Sequence, residues 1–188
     1  TFVVQFTCIQ VSKDRSTAFL SRLYTSPMKP ADFIMGYTIP ILGIAVAQCL
    51  ITFAASAVVA AIAGEKLNLI NLFIASFVNI PAAVLFLGLG MLFGTLLSDK
   101  AAPGICSIII TVSCILGGIW MDVEALGGMI WKISSALPFY HAVKAARLSV
   151  MGAFGEILKP MVITLAYALV IYGAAVCIMR MKMTKDVS

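Results

Sequence analysis

Two runs of this chain, Phe33 to Gly64 and Leu67 to Ser98, contain no charged side chain. Two more, Ala101 to Met121 and Pro160 to Met179, are equally free of charge. About 20 helical residues cross a bilayer core, so each run is long enough to span once. The two longer runs do so with tilt or with an extension beyond the membrane. Composition agrees. Charged residues make up 11% of the chain and hydrophobic ones 62%, with a mean hydropathy of +1.07. A soluble domain carries about 25% charged residues, so a water-exposed surface cannot be built from this sequence. The expectation is an all-α integral membrane protein.

Short polar punctuation separates the runs. Glu65-Lys66 and Asp99-Lys100 read as turns. Asn79 and Pro81 near the middle of the second run predict a kink, because proline removes a helical hydrogen bond. Gly90 and Gly94 have GxxxG spacing, which permits close helix approach but is common by chance in apolar sequence. The chain opens inside an apolar stretch, Phe2-Val3-Val4-Gln5-Phe6, with neither an initiator Met nor a signal-peptide pattern. Residues 1–12 are therefore read as the end of a span that begins upstream, in a longer protein. With four full spans after it, this makes one transmembrane domain over residues 1–188. The five cysteines, Cys8, Cys49, Cys106, Cys114 and Cys177, sit in apolar runs without metal-ligand spacing and read as small apolar residues.

Two segments interrupt this plan. Residues 13–30 form a charged island. At helical spacing Phe19, Leu20, Leu23 and Tyr24 share one face, while Asp14, Arg15, Ser21 and Arg22 take the other. Ser26-Pro27 ends the helix. Such a helix either lies on the membrane surface or docks on a partner. Residues 122–159 carry charges and Gly127-Gly128. Met129 to Leu137 predicts one short helix, and Pro138 suits the first turn of a second. Phe139, Ala142, Val143, Ala146 and Val150 recur on one side of that second helix; Tyr140, Lys144 and Arg147 take another. Two short amphipathic helices that dip into or lie on the membrane fit this pattern, as does a small helical hairpin outside it.

Chemistry is sparse. One histidine, His141, has no nucleophile paired with it by motif, and no GxxxxGK[ST] phosphate loop occurs. No catalytic residue, metal site or bound cofactor is expected. The net charge of +5 is not interleaved with stacking aromatics, which argues against nucleic acid as a partner. It fits loops that face the cytoplasm and anionic lipid. The four full spans lack Asp, Glu, Lys and Arg, which argues against a proton-coupled carrier. Their polarity comes from Gln48, Thr52 and Ser56, at i, i+4 and i+8, and from Asn79. These groups either hydrogen-bond between helices or line a translocation path.

The island Asp14-Arg15-Ser16-Thr17-Ala18-Phe19-Leu20-Ser21-Arg22-Leu23-Tyr24-Thr25-Ser26-Pro27-Met28 resembles the conserved cytoplasmic segment of the permeases of type-2, exporter-type ATP-binding cassette transporters. Glycine is usual in that family where Ala18 stands. Leu137-Pro138-Phe139-Tyr140-His141-Ala142 is similar to the family's Leu-Pro-x-x-His-Ala segment before the last span. The resemblance covers essentially the whole chain, in order. It implies a six-span fold, of which this chain holds the end of the second span through the sixth. It further implies a permease dimer with a second copy or homologue, in a bacterial plasma membrane. ATP would be used by a separate cytoplasmic ATPase, onto which Asp14, Arg15, Phe19, Leu20, Arg22, Leu23 and Pro27 dock as a coupling helix. Residues 122–159, with Pro138, Tyr140, His141 and Arg147, would form re-entrant helices on the outer side. Drugs, lipids, glycans and peptides are all substrates in that family. An ATP-independent channel or carrier, or a membrane scaffold that moves nothing, are the competing readings.

Orientation follows from Lys and Arg in the short loops. With the island inside, Lys13, Arg15, Arg22, Lys29, Lys100, Arg180, Lys182 and Lys185 are all cytoplasmic; Lys66 is external, with Lys132, Lys144, Arg147 and Lys159 of the long segment, which count against the orientation that the short loops favour. Cysteine substitutions at Ser16 and Lys66, in a cysteine-free background, test this with an impermeant thiol reagent on intact cells. The expected result is labelling of Lys66→Cys alone; labelling of Ser16→Cys alone reverses the orientation.

Overall fold

A computed structural model describes residues 2–16, 30–64 and 68–185. The described residues contain helices and no strand. They are α1 (Phe2–Ser16), α2 (Pro30–Ala63), α3 (Leu69–Val78), α4 (Ile80–Leu96), α5 (Ala102–Leu116), α6 (Val123–Leu126), α7 (Gly128–Ala136), α8 (Pro138–Met151) and α9 (Leu158–Lys185). A 3-10 turn, Phe154–Glu156, precedes α9. Among the described residues three stretches are long and apolar enough to cross a membrane: Ile34–Ala63, Leu69–Leu96 and Phe154–Met181. The protein is thus an all-α membrane protein.

Asn79 and Pro81 divide the second long stretch as their chemistry dictates. Asn79 closes α3 and opens α4, and Pro81 sits in the first turn of α4, where its missing N–H costs little. The third expected span differs from its sequence reading. Ala101 to Met121 is uniformly apolar, but α5 ends at Leu116 and is about 22 Å long at 1.5 Å per residue, short of a bilayer core of about 30 Å. The chain turns at Gly117 and Gly118, and Gly118 has φ +75°, which other residues rarely adopt. Asp122 then caps α6, accepting from the amides of Glu124 and Ala125 at 3.1 and 3.2 Å. The two short helices expected after it are α7 and α8, and Pro138 opens α8.

α4 lies at the centre, packed between α1 and α9. In the most apolar window of the α3–α4 stretch 39% of residues are buried, against 11% for α2, which therefore turns most of its surface to the surroundings. Glycines make the central contacts possible. A Cβ on Gly90 would lie 2.7 Å from the Cβ of Thr7 and 2.8 Å from the Val4 carbonyl oxygen. A Cβ on Gly94 would lie 2.8 Å from that of Val11 and 3.0 Å from the Cys8 carbonyl oxygen. On the opposite side, one on Gly88 would lie 2.8 Å from the Tyr172 ring. The GxxxG spacing is therefore a packing seam. Val11, Ile34, Ile41, Leu87, Met91, Ala175 and Met179 form one buried cluster where α1, α2, α4 and α9 meet. Val4, Cys8, Ala102 and Cys106 form a second between α1 and α5.

Overpacking against backbone costs about 1–3 kcal/mol. Gly90→Ala and Gly94→Ala are each expected to lower the stability of the detergent-solubilised protein by about that amount. Gly36, whose added Cβ meets nothing within 4 Å, is the control. Gly36→Ala should leave stability unchanged or raise it by up to about 1 kcal/mol through helix propensity. Denaturant titration followed by circular dichroism reads the difference.

Candidate functional site

A cavity of about 700 Å³ lies between α2, α3, α4 and α8. α2 contributes Gln48, Thr52 and Ser56, each one turn from the next, and the break between α3 and α4 contributes Asn79. The structure thus brings together all four residues predicted for a translocation path. The predicted apolar side of α8 forms the facing wall: Phe139, Ala142, Val143, Ala146 and Val150 all line the cavity. Phe86 of α4 stacks on Phe139, with ring centres 5.8 Å apart.

The polar groups differ in what they leave available. Thr52 donates to the Gln48 carbonyl at 2.9 Å and Ser56 to the Thr52 carbonyl at 2.8 Å, so both hydroxyl protons are satisfied within α2. The carboxamides of Gln48 and Asn79 make no hydrogen bond with the described residues, and each presents donors and an acceptor to the cavity. Arg147 shares the wall, and its guanidinium donates to the Gly118 carbonyl. Among the described residues no carboxylate lines the cavity.

α8 is held in place from several sides. Tyr140 donates to the Glu124 carboxylate. Lys144 donates to the Tyr140 oxygen at 3.0 Å and lies 3.4 Å from Glu124. Trp131 of α7 meets the Tyr140 ring edge-on at 5.0 Å. His141 donates from Nε2 to the Ser135 carbonyl at 2.9 Å, and Tyr167 donates to the Ala136 carbonyl at 2.8 Å. Together they satisfy two of the carbonyls left open at the end of α7, which gives His141 a structural task. Asn71 of α3 donates to the Val150 carbonyl at 3.4 Å, and α8 ends at Gly152 in the left-handed conformation. A Cβ on Gly152 would lie 2.8 Å from the Asn71 amide nitrogen. The Glu124 carboxyl titrates below the usual carboxylate range, first because Tyr140 donates to it and further because Lys144 is near. Burial and the bond to Glu124 push the Tyr140 hydroxyl up. The bond to Tyr140 is the main cause that raises the Lys144 ammonium.

At the opposite end, α1 runs past the expected end of its span to Ser16. Asp14 accepts from the Tyr37 hydroxyl of α2 and from Gln10 at 3.0 Å. Arg15 donates to the Thr95 carbonyl in the last turn of α4. Both side chains are engaged within the subunit. Phe19, Leu20, Arg22, Leu23 and Pro27 lie outside the described residues. Tyr37, Thr95, Asn71 and Gly118 were not singled out from sequence. Their roles depend on neighbours distant along the chain, and only the Gly117-Gly118 pair offered a local signal.

A family model described as ABC-2 family transporter protein matches residues 1–177. No curated protein and no solved structure matches the chain.

The cluster around Tyr140 has a definite pH signature. A carboxyl with a depressed folded pKa stabilises the fold above its unfolded value, and that contribution is lost as pH falls through the folded value. The emission of Trp131, in a Trp120→Phe background, should therefore change in the acid range below the ordinary carboxylate value. Tyr140→Phe keeps the ring but removes the bond to Glu124, so the midpoint should move up. A midpoint indifferent to Tyr140→Phe would show that Glu124 does not hold this cluster.

Proposed function

Because the chain belongs to the ABC-2 family of transporter proteins, we propose that it is the membrane subunit of an ATP-driven exporter, with the cavity between α2 and α8 on its translocation path. The observation that carries this reading is the convergence of Gln48, Thr52, Ser56 and Asn79 on one cavity in an otherwise apolar helix bundle. Polar groups scattered for helix packing would bond to neighbouring helices; the hydroxyls here bond within α2, and the carboxamides open to the cavity.

Energy would come from a separate cytoplasmic ATPase that docks on residues 13–30. In support, α1 leads directly into that segment, and its last turn is tied to α2 through Asp14 and Tyr37 and to α4 through Arg15 and Thr95. A push on the segment would thus reach α2, which carries Gln48, and α4, which begins at Asn79. Phe19, Leu20 and Leu23 are the apolar anchors of the docking face, with Arg22 at its rim. A second permease copy would complete the path, and α6 to α8 would lie on the outer side.

Truncating a buried aromatic anchor commonly costs about 2 kcal/mol or more, roughly 30-fold in affinity. Phe19→Ala/Leu23→Ala should leave the permease inserted but weaken co-purification of the cognate ATPase by at least about that factor. Arg22→Glu should act more weakly and in a salt-dependent way. ATPase association and membrane ATP hydrolysis that are unchanged in the double variant would return the island to a helix on the lipid surface.

A further inference from the structure

Among the described residues, Arg147 is the one cationic side chain on the cavity wall, and no carboxylate pairs with it. Its guanidinium donates to a neutral carbonyl, that of Gly118, beside the cavity-lining Ile119. One such bond leaves most of its five N–H donors and its full charge without an anionic partner. Arg147 is exposed, so its remaining donors are open to a molecule that enters the cavity. Its nearest basic neighbour on α8, Lys144, has a carboxylate at 3.4 Å, so the same helix carries one compensated and one uncompensated cation. The carboxamides of Gln48 and Asn79 add N–H donors to the same cavity, and the stacked Phe86 and Phe139 give it an aromatic wall.

From this combination we infer that the cavity takes an anionic amphiphile, with its phosphate-like or carboxylate head on Arg147 and its apolar body along Phe86 and Phe139. The volume of about 700 Å³ suits a single-chain molecule. Guanidinium is the side chain best matched to such heads, since its planar fork donates two parallel bonds. Cationic amphiphiles are disfavoured, because the wall offers them no carboxylate and meets them with like charge. This assignment rests on the reading of the cavity as the substrate path. The anionic amphiphile is either a lipid resident in the bilayer or a free molecule on its way through.

The test uses the complete transporter, permease with its ATPase, in phosphatidylcholine nanodiscs. A dodecyl phosphate with a diazirine on its chain is photolysed, and labelling of α2 and α8 peptides is measured. Unlabelled dodecyl phosphate, dodecanol and dodecyltrimethylammonium compete at equal bilayer concentration. Dodecyl phosphate should compete about tenfold better than dodecanol, and the ammonium worst, as expected for one charge-assisted bond. Arg147→Gln should abolish the preference for phosphate over dodecanol, and Arg147→Lys should keep most of it. A dodecanol probe that still labels the Arg147→Gln protein shows that the cavity is intact. Equal competition by the ammonium, or a preference that survives Arg147→Gln, overturns the inference. Protection from labelling by added phosphatidylglycerol identifies the source as a bilayer lipid; undiminished labelling identifies a free amphiphile. Arg147-dependent labelling without ATP-driven movement of the probe in proteoliposomes would remove the path and leave the anion site. ATP-driven movement indifferent to Arg147→Gln would remove the anion site and leave the path.

Discussion

The contact on which everything else depends is the seam where α1 lies along Gly90 and Gly94 of α4. Between helices in a lipid environment there is no hydrophobic driving force, because the solvent is as apolar as the side chains. Association then rests on close van der Waals contact, and that requires small residues where backbones meet. Gly88 does the same on the other flank of α4 and admits the ring of Tyr172. With both flanks filled, α4 is fixed, and its two ends become reference points. One end, at Asn79, opens the cavity; the other, at Thr95, receives Arg15.

The second constraint is the satisfaction of polar groups. Most hydroxyls in the apolar helices bond to their own helix, as Thr7, Thr38, Thr52, Ser56, Ser107, Thr111, Ser113 and Thr164 do. Such groups add little chemistry to a cavity. Carboxamides cannot fold back in this way so readily, and a guanidinium has donors left over once one bond is made. The polarity that remains for a ligand is thus concentrated in Gln48, Asn79 and Arg147, with the Ser76 hydroxyl beside them, set among apolar neighbours.

Much of this was legible in the sequence. Charge-free runs mark the long helices because an ionised group in the hydrocarbon region is costly. Asn79 with Pro81, and Pro138, mark helix boundaries because proline lacks an N–H wherever it stands. The 3.6-residue repeat from Phe139 to Val150 identified the face that lines the cavity. Other features depend on pairing across the chain and left little local trace. Gly90 and Gly94 could not be told from chance spacing until Val4, Thr7, Cys8 and Val11 were placed against them. The end of α5 at Leu116 lies in apolar sequence, where only Gly117-Gly118 marks it. Asp14 and Arg15 read as an exposed polar face, whereas Tyr37 and Thr95 take them up within the subunit. Arg147 read as part of the outer segment; its place on the cavity wall follows only from the packing of α8.

The two flanks of α4 also fix an order in time. α1 precedes α4 in the chain, so the Gly90 and Gly94 flank can close as soon as α4 emerges from the ribosome. The Gly88 flank waits for Tyr172. At about 5–20 residues per second, synthesis reaches that residue roughly 4 to 15 seconds later. For that interval the nascent chain carries an unfilled notch on its central helix. Until α9 arrives, the close approach at Gly88 is open to any other helix that can reach it.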